Sequence, residues 1–311
     1  MRKAGFLLTL FILASCQAEG EKPTASDNEE IKVLNGEKEI ILEEPPDRAI
    51  SLNQHVTEIM LALGLEDRMV GTAYLDDSIH PDLKTAYESI PVLSDQYPSQ
   101  EIIFAEEPDF IYGGWESAFQ DEAAGSRERL EEYGIDSYLH ESSNMVNPQL
   151  QDVFQDIKNI GEIFQEEEAA EELTEKIHSE IQDIQDNIPK QEETKRVFVY
   201  DSGDSSPTTA GQNFLNTIIE MGRADNIFGD LEKGWGTVSW EEVAEADPDE
   251  IIIIDYGDTS AEDKISFLKS HSVMKELKAV QNEQFTVIPL SEASEGIRAP
   301  DALEKIVDGI Y

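Results

Sequence analysis

Between Ile31 and Leu42, apolar and polar residues alternate on both sides of Asn35-Gly36, which predicts a β-hairpin closed by a tight turn. Short apolar runs at Ala49 to Leu52, Met69 to Tyr74 and Phe110 to Tyr112 predict strands. Thr57 to Leu65 predicts a helix, with Ile59, Leu61, Leu63 and Leu65 apolar and Gly64 near its end. This alternation of strand and helix predicts an α/β fold with mainly parallel sheets. The middle of the chain has a different period. Leu150, Val153, Phe154, Ile157, Ile160, Phe164, Leu173, Ile177, Ile181, Ile184 and Ile188 recur at helical steps between Asn147-Pro148 and Pro189. One continuous helix over 147–189 would run ~60 Å and join two domains as a rigid backbone. The other reading is two helices with a break near Gly161.

The flanks of this segment resemble each other. Arg48-Ala-Ile-Ser-Leu opens the first flank and Arg196-Val-Phe-Val-Tyr the second. Gly64, Asp67 and Gly71 match Gly222, Asp225 and Gly229, and Glu101 through Pro108-Asp109 matches Glu241 through Pro248-Asp249. Three blocks in one order predict a duplicated α/β lobe, with lobes at 31–146 and 190–311.

The amino terminus changes the picture of where the chain works. Arg2-Lys3, an apolar run to Leu13 and Leu13-Ala14-Ser15-Cys16 predict a secretory signal over residues 1–15. The run is too short to span a bilayer, which takes roughly 20 apolar residues. Leu-Ala-Ser-Cys is similar to a bacterial lipobox, so Cys16 is expected to carry lipid. That lipid is the one covalent group expected on the chain. Residues 16–30 are polar and read as a flexible tether. Cys16 is the only cysteine, so no disulfide supports the fold. A net charge of −44 excludes nucleic-acid binding, which needs a basic footprint, and reads as an acidic, solvated surface.

Two similar lobes, a joining helical segment and a lipobox resemble the helical-backbone solute-binding proteins of ABC importers for iron-siderophores, vitamin B12 and haem. The resemblance covers Ile31 to Tyr311. It rests on Arg48-Ala-Ile-Ser-Leu-Asn-Gln-His-Val-Thr-Glu, Glu106-Glu-Pro-Asp-Phe-Ile-Tyr-Gly-Gly-Trp, Val238-Ser-Trp-Glu-Glu, and Gly296-Ile-Arg298 with Asp301-Ala-Leu-Glu. It implies a monomer, anchored outside the cell membrane by its lipid. That monomer hands a metal chelate to a permease dimer and its ATPases, and catalyses nothing. Ligand is then expected between the lobes, at the carboxyl ends of strands. Asn53, Gln54, His55, Tyr74, Trp115, Asp201, Trp235, Tyr256 and Arg298 are the candidates there. His55 equally reads as a satisfied residue at a helix start, and Trp115 and Trp235 as core. With Arg298 the main cation and Arg127 a lesser one, an uncharged or weakly charged ligand fits better than a tricatecholate. A hydroxamate Fe(III)-siderophore or a corrinoid is of that kind. The resemblance further implies that Glu101 and Glu241, one per lobe, dock on permease arginines.

Two other readings are weaker. A binder of bare Zn²⁺ or Mn²⁺ needs converging ligands, but the five histidines are widely spaced. An α/β enzyme should show a nucleophile elbow, a phosphate loop or His-Glu-x-x-His, and the chain has none of these. Replacing Cys16 by Ser should move the protein from the membrane fraction to the soluble extracytoplasmic fraction. An unchanged membrane fraction would refute the anchor.

Overall fold

The computed structural model describes residues 30–190 and 193–311. The signal of residues 1–15, Cys16 and the tether to residue 29 lie outside the described residues. A hairpin of β1 (Ile31–Asn35) and β2 (Lys38–Leu42) leads into the first lobe. Its pairing sets Asn35 opposite Lys38, so the turn is Gly36–Glu37 rather than Asn35–Gly36. Gly36 has φ +65°, and glycine at the first central position suits a hairpin turn. Asn35 has another task. Its buried amide donates to the Leu139 carbonyl and accepts from the Leu139 N–H (2.8 and 2.9 Å), docking the hairpin on the lobe.

That lobe contains β3 (Ala49–Leu52), α1 (Gln54–Ala62), β4 (Met69–Ala73), α2 (Lys84–Tyr87), β5 (Val92–Ser94), α3 (Gln100–Ala105), β6 (Phe110–Gly113), α4 (Arg127–Glu132) and β7 (Asp136–Leu139). Its strands form one parallel sheet in the order β5-β4-β3-β6-β7. Helix α1 starts three residues earlier than the apolar pattern suggests, directly after Asn53. It also stops earlier. Gly64, at φ +73°, donates to Leu61, and Leu65 donates to Met60, a Schellman closure that takes Leu63 to Leu65 out of the helix.

The second lobe contains β8 (Lys195–Tyr200), β9 (Thr208–Ala210), α7 (Phe214–Met221), β10 (Ala224–Asn226), β11 (Trp235–Thr237), α8 (Trp240–Ala246), β12 (Glu250–Asp255), α9 (Ala261–Ser270), α10 (Lys278–Gln281), β13 (Phe285–Pro289), α11 (Leu290–Ala293) and α12 (Ala299–Ile310). Its parallel sheet runs β10-β8-β12-β13, with β9 and β11 as a separate antiparallel ribbon. The strand order repeats β4-β3-β6-β7 of the first lobe. The same clamp starts both sheets. Asp109 accepts the N–H of Arg48 and Asp249 that of Arg196, each at 2.9 Å, and each Asp N–H returns a bond to the arginine carbonyl. The two guanidiniums bond carbonyls just before Pro108 and Pro248. Glu107 and Asp247, which precede those prolines, are both left-handed, at φ 47° and 44°. The lobes are therefore structural repeats. Their alignment shifts by one residue at the first helix end, where Arg223 (φ 57°), and not Gly222, is the counterpart of Gly64.

The single long helix expected over 147–189 is instead two helices, α5 (Leu150–Phe164) and α6 (Glu167–Asn187). Asn147 caps neither. It sits at φ 56° with its N–H on the Gln212 carbonyl of the other lobe, and Gln149 and Asp152 form the start of α5. Gln165, at φ 57°, breaks the run. The Phe154 and His178 rings lie 6.5 Å apart, whereas one straight helix would separate them by roughly 36 Å. The helices therefore fold back on one another. The reason is visible in the chain: Gln165-Glu-Glu-Glu168 is exposed and polar, which interrupts the apolar stripe between Phe164 and Leu173. Gly161 allows the close approach, since a side chain there would strike Ala170. Helix α6 is about 32 Å long, roughly half the span of the expected single helix. Its Gln185 bonds the Met221 carbonyl (3.0 Å), and α12 packs along it.

Left-handed backbone costs an L-residue about 1–2 kcal/mol, part of which glycine's larger unfolded entropy offsets. Gln165→Gly should therefore stabilise the protein by about 0.5–1 kcal/mol in urea unfolding. A loss of stability would mean that the glutamine side chain holds the bend.

Candidate ligand cleft

Segments after β3, β4 and β7 meet the segment after β13 across the lobe boundary, where their side chains close the floor of a cleft. Arg298, at the start of α12, donates through Nε to Glu58 of α1 (2.8 Å) and through NH2 to the other carboxylate oxygen. It also bonds the Ser78 carbonyl (2.8 Å) and Ser291 Oγ (3.1 Å). Both partners are buried, Glu58 to 1% and Arg298 to 6% exposure. Ser291 Oγ reaches Asp77 at 2.7 Å. Gln54 completes the floor. Its oxygen accepts the N–H groups of Asp76 and Asp77, both at 2.9 Å, and its amide donates to Asp77, to the Ser78 carbonyl and to Glu58. Of the sequence candidates, Arg298 is thus bound up in joining the lobes and Gln54 in holding the segment 76–78 that Arg298 meets, and the Arg298 charge is already matched.

Asn53 and Tyr74 leave the adjacent strands β3 and β4 with φ of 95° and 63°. Such conformations cost non-glycine residues of order 1–3 kcal/mol and persist where surrounding structure enforces them. Here the enforcement is local. The Asn53 N–H bonds the Ala73 carbonyl, and its side chain accepts from Gly114 N–H (3.2 Å) and exchanges bonds with Tyr97 Oη (2.9 and 3.1 Å). Tyr97 Oη also meets Ser117 Oγ at 2.8 Å, and the Tyr74 and Tyr97 rings lie 4.6 Å apart. Tyr97 and Ser117 were invisible to sequence reasoning. Tyr97 stands in an irregular loop and Ser117 in a short 3₁₀ turn, neither with a period to read, and only the fold brings them to Asn53.

His55 is buried against the Trp115 ring (4.8 Å) and the His140 ring (5.2 Å). Its Nε2 meets Ser143 Oγ at 3.1 Å, while Nδ1 is buried without a hydrogen-bond partner. Burial, with His140 beside it, pushes its pKa well below the usual histidine value, so the ring is neutral. A side chain at Gly114 would collide with this ring, which explains the glycine before Trp115. His140 is also held neutral by burial. Ser142 donates to Asp156 (2.6 Å), so His140 Nε2–H donates to Ser142 (3.0 Å) and Nδ1 accepts from Tyr112 (2.6 Å). The Asp156 carboxylate takes further bonds from Tyr138 Oη and the N–H groups of Glu141 and Ser142. Glu295 of the second lobe bonds Ser143, and burial raises its pKa to about 7.

In the second lobe Asp201 follows β8 and Tyr256 follows β12. Ser202 donates to Asp201 at 2.7 Å. Burial pushes the Tyr256 phenol up to about 12, with Asp201 and, from the other lobe, Asp76 adding to it. Lys264 is buried beneath the Tyr256 ring (4.7 Å to its centroid) and donates to the Ile254 carbonyl (2.6 Å). Trp235 stands apart: it lies on β11 opposite Ala210, over a third exposed, with no ring contact to the other candidates. Arg127 is also committed, donating to Ser137 Oγ and the Ser137 carbonyl. A cavity of about 790 Å³ lies against α6 and α12, between Ala62, Leu173, Ile297 and Pro300, and contains none of the cleft candidates.

Glu101 and Glu241 are exposed in the first turns of α3 and α8, each two residues after a serine at the helix start, Ser99 and Ser239. They hold equivalent places in the two lobes.

A family model described as periplasmic binding protein matches residues 50–291. An uncharacterised ABC transporter substrate-binding lipoprotein, YvrC, of Bacillus subtilis (strain 168) is 24% identical, over 99% of this chain and 96% of the relative. A vitamin B12-binding protein of Vibrio parahaemolyticus is 24% identical over 66% of this chain and 70% of its own. The crystal structure of a periplasmic binding protein from Veillonella parvula superposes with a TM-score of 0.84 at 33% identity, covering 91% of this chain and 98% of that one.

Removing one partner of a buried ion pair strands the other charge, at a cost of roughly 3–5 kcal/mol. Glu58→Ala should lower stability by that amount in urea unfolding, and joint replacement by Glu58→Leu and Arg298→Met should recover most of it. A loss below ~1 kcal/mol for the single change would show that the pair does not fasten the lobes.

Proposed function

We propose that this chain, which belongs to the periplasmic binding protein family, captures a metal chelate outside the cell membrane and delivers it to an ABC permease with its ATPases. The cleft carries this reading. Strained Asn53 and Tyr74, the Tyr97 phenol, Trp115, Asp201 and Tyr256 converge at strand ends of both lobes, where open α/β sheets bind ligands. Aromatic faces beside hydrogen-bonding groups suit a chelate with an apolar body and polar rim, such as a hydroxamate Fe(III)-siderophore or a corrinoid. The vitamin B12-binding relative supports this class, and the lipoprotein relative supports an anchor at Cys16. Ligand and permease are its partners, and it works as a monomer that catalyses no reaction.

Delivery falls to Glu101 and Glu241. Exposed carboxylates at equivalent points of two repeated lobes form a two-point match for a two-fold permease. Reversing both to Arg should leave chelate affinity in solution unchanged while uptake of radiolabelled chelate by cells lacking the wild-type gene collapses. Each single reversal should weaken uptake to a similar extent. Reversal of Glu171 and Glu175, exposed on α6, is the control and should do little. Normal uptake by the double variant would refute the docking role, and lost chelate affinity would place these glutamates in the cleft.

A further inference from the structure

Resting on the chelate-binding reading, we propose that Asp76 makes the cleft select chelates by charge, taking cationic and uncharged ones and rejecting anionic ones. Asp76 is a half-buried carboxylate at the cleft that no described side chain answers. Its backbone is pinned by Gln54, whose side-chain oxygen accepts the Asp76 and Asp77 N–H groups, so its position is built and not incidental. Its side chain takes no hydrogen bond or ion pair among the described residues. It is close enough to Tyr97 of one lobe and Tyr256 of the other to push both phenols away from ionisation. Its neighbour Asp77 bonds Ser291 of the second lobe (2.7 Å), so Asp76 stands beside the point where the lobes meet.

Each described cation around the cleft is already committed. Arg298 is paired with Glu58 and also bonds Ser78 and Ser291. Lys264 is buried beneath Tyr256 on the Ile254 carbonyl, and burial lowers its pKa against the opposing pull of Asp201 and Asp255. Arg127 is held by Ser137. His55 and His140 are neutral. An anionic chelate would thus meet the uncompensated Asp76 charge with no free cation to balance it, in a part-buried site where screening by salt is weak. A cationic chelate would supply the missing partner.

The groups facing Asp76 are Asp77, the Gln54 amide, Tyr97 and Tyr256, and both tyrosines stay protonated through the working pH range. Burial, then Asp77, raises the Asp76 pKa to about 6. Selection by charge should therefore be full well above pH 6 and fade as the carboxyl takes its proton below it.

The test is Trp fluorescence quenching of the full chain by three Fe(III) chelates: a linear trishydroxamate with a free ammonium, a cyclic trishydroxamate without ionisable groups, and a trianionic tricatecholate. At pH 8 the cationic chelate should bind roughly tenfold tighter than the uncharged one, and the tricatecholate at least a hundredfold more weakly than either. The cationic-to-uncharged ratio should fall towards one at pH 5. Asp76→Asn should hold that ratio near one at both pH values, with its unfolding midpoint recorded to show that it folds. Equal or tighter binding of the tricatecholate, or a ratio independent of pH in the wild-type protein, would overturn the proposal. If no chelate of any charge binds, the chelate-binding reading itself falls, and charge selection falls with it.

Discussion

Taking a guanidinium and a carboxylate out of water costs several kcal/mol per ion, and mutual attraction offsets this only when the geometry is good and the remaining donors are satisfied. Arg298 and Glu58 meet that requirement across the lobe boundary, with Ser78, Ser291 and Gln54 taking up their other bonds. The rest of the cleft depends on this arrangement. It fixes the 290–298 segment of the second lobe against α1 of the first, where Gly296 lies over His55 with little room for a side chain. It also commits Arg298, the main candidate cation for an anionic ligand.

The strain at Asn53 and Tyr74 belongs to the same construction. A chain leaving two adjacent parallel strands with positive φ would relax if it were free. Here the Asn53 side chain is engaged by Tyr97 and Gly114, and Gln54 holds the loop after Tyr74. The side chains at these strand ends are therefore held on rigid supports, and for any ligand bound there such preorganisation would limit the entropy lost. Beneath them, neutral His140 and the multiply bonded Asp156 keep the β7 end in place without exposing a charge to the cleft.

Duplication distributes these roles unevenly. Both lobes keep the strand order, the Arg to Pro-Asp clamp and a glutamate at the start of an outer helix. The first lobe has the strained aromatic wall, whereas the second supplies Asp201, Tyr256 and the segment that locks the floor. What the lobes share is what a repeated parallel sheet requires. Where they differ is where an asymmetric ligand would be held.

Much of this was legible in the chain. Alternation and short apolar runs report which face of a local segment is buried, so they located the hairpin and β3, β4 and β6; matching blocks pointed to the repeated lobes, and the cleft between them was implied by the family resemblance. The equivalence of Glu101 and Glu241 followed from the repeat alone. The hairpin turn, the ends of α1 and the fold-back of α5 on α6 were misread, because caps and left-handed residues such as Gln165 act at single positions that a period averages over. The cleft chemistry was hidden for a stronger reason. Arg298 finds Glu58 across 240 residues, and Tyr97 finds Asn53 from an irregular loop. Local pattern determines whether a side chain is buried, but only the packed lobes decide which partner satisfies it, and so which charges, like that of Asp76, are left for a ligand.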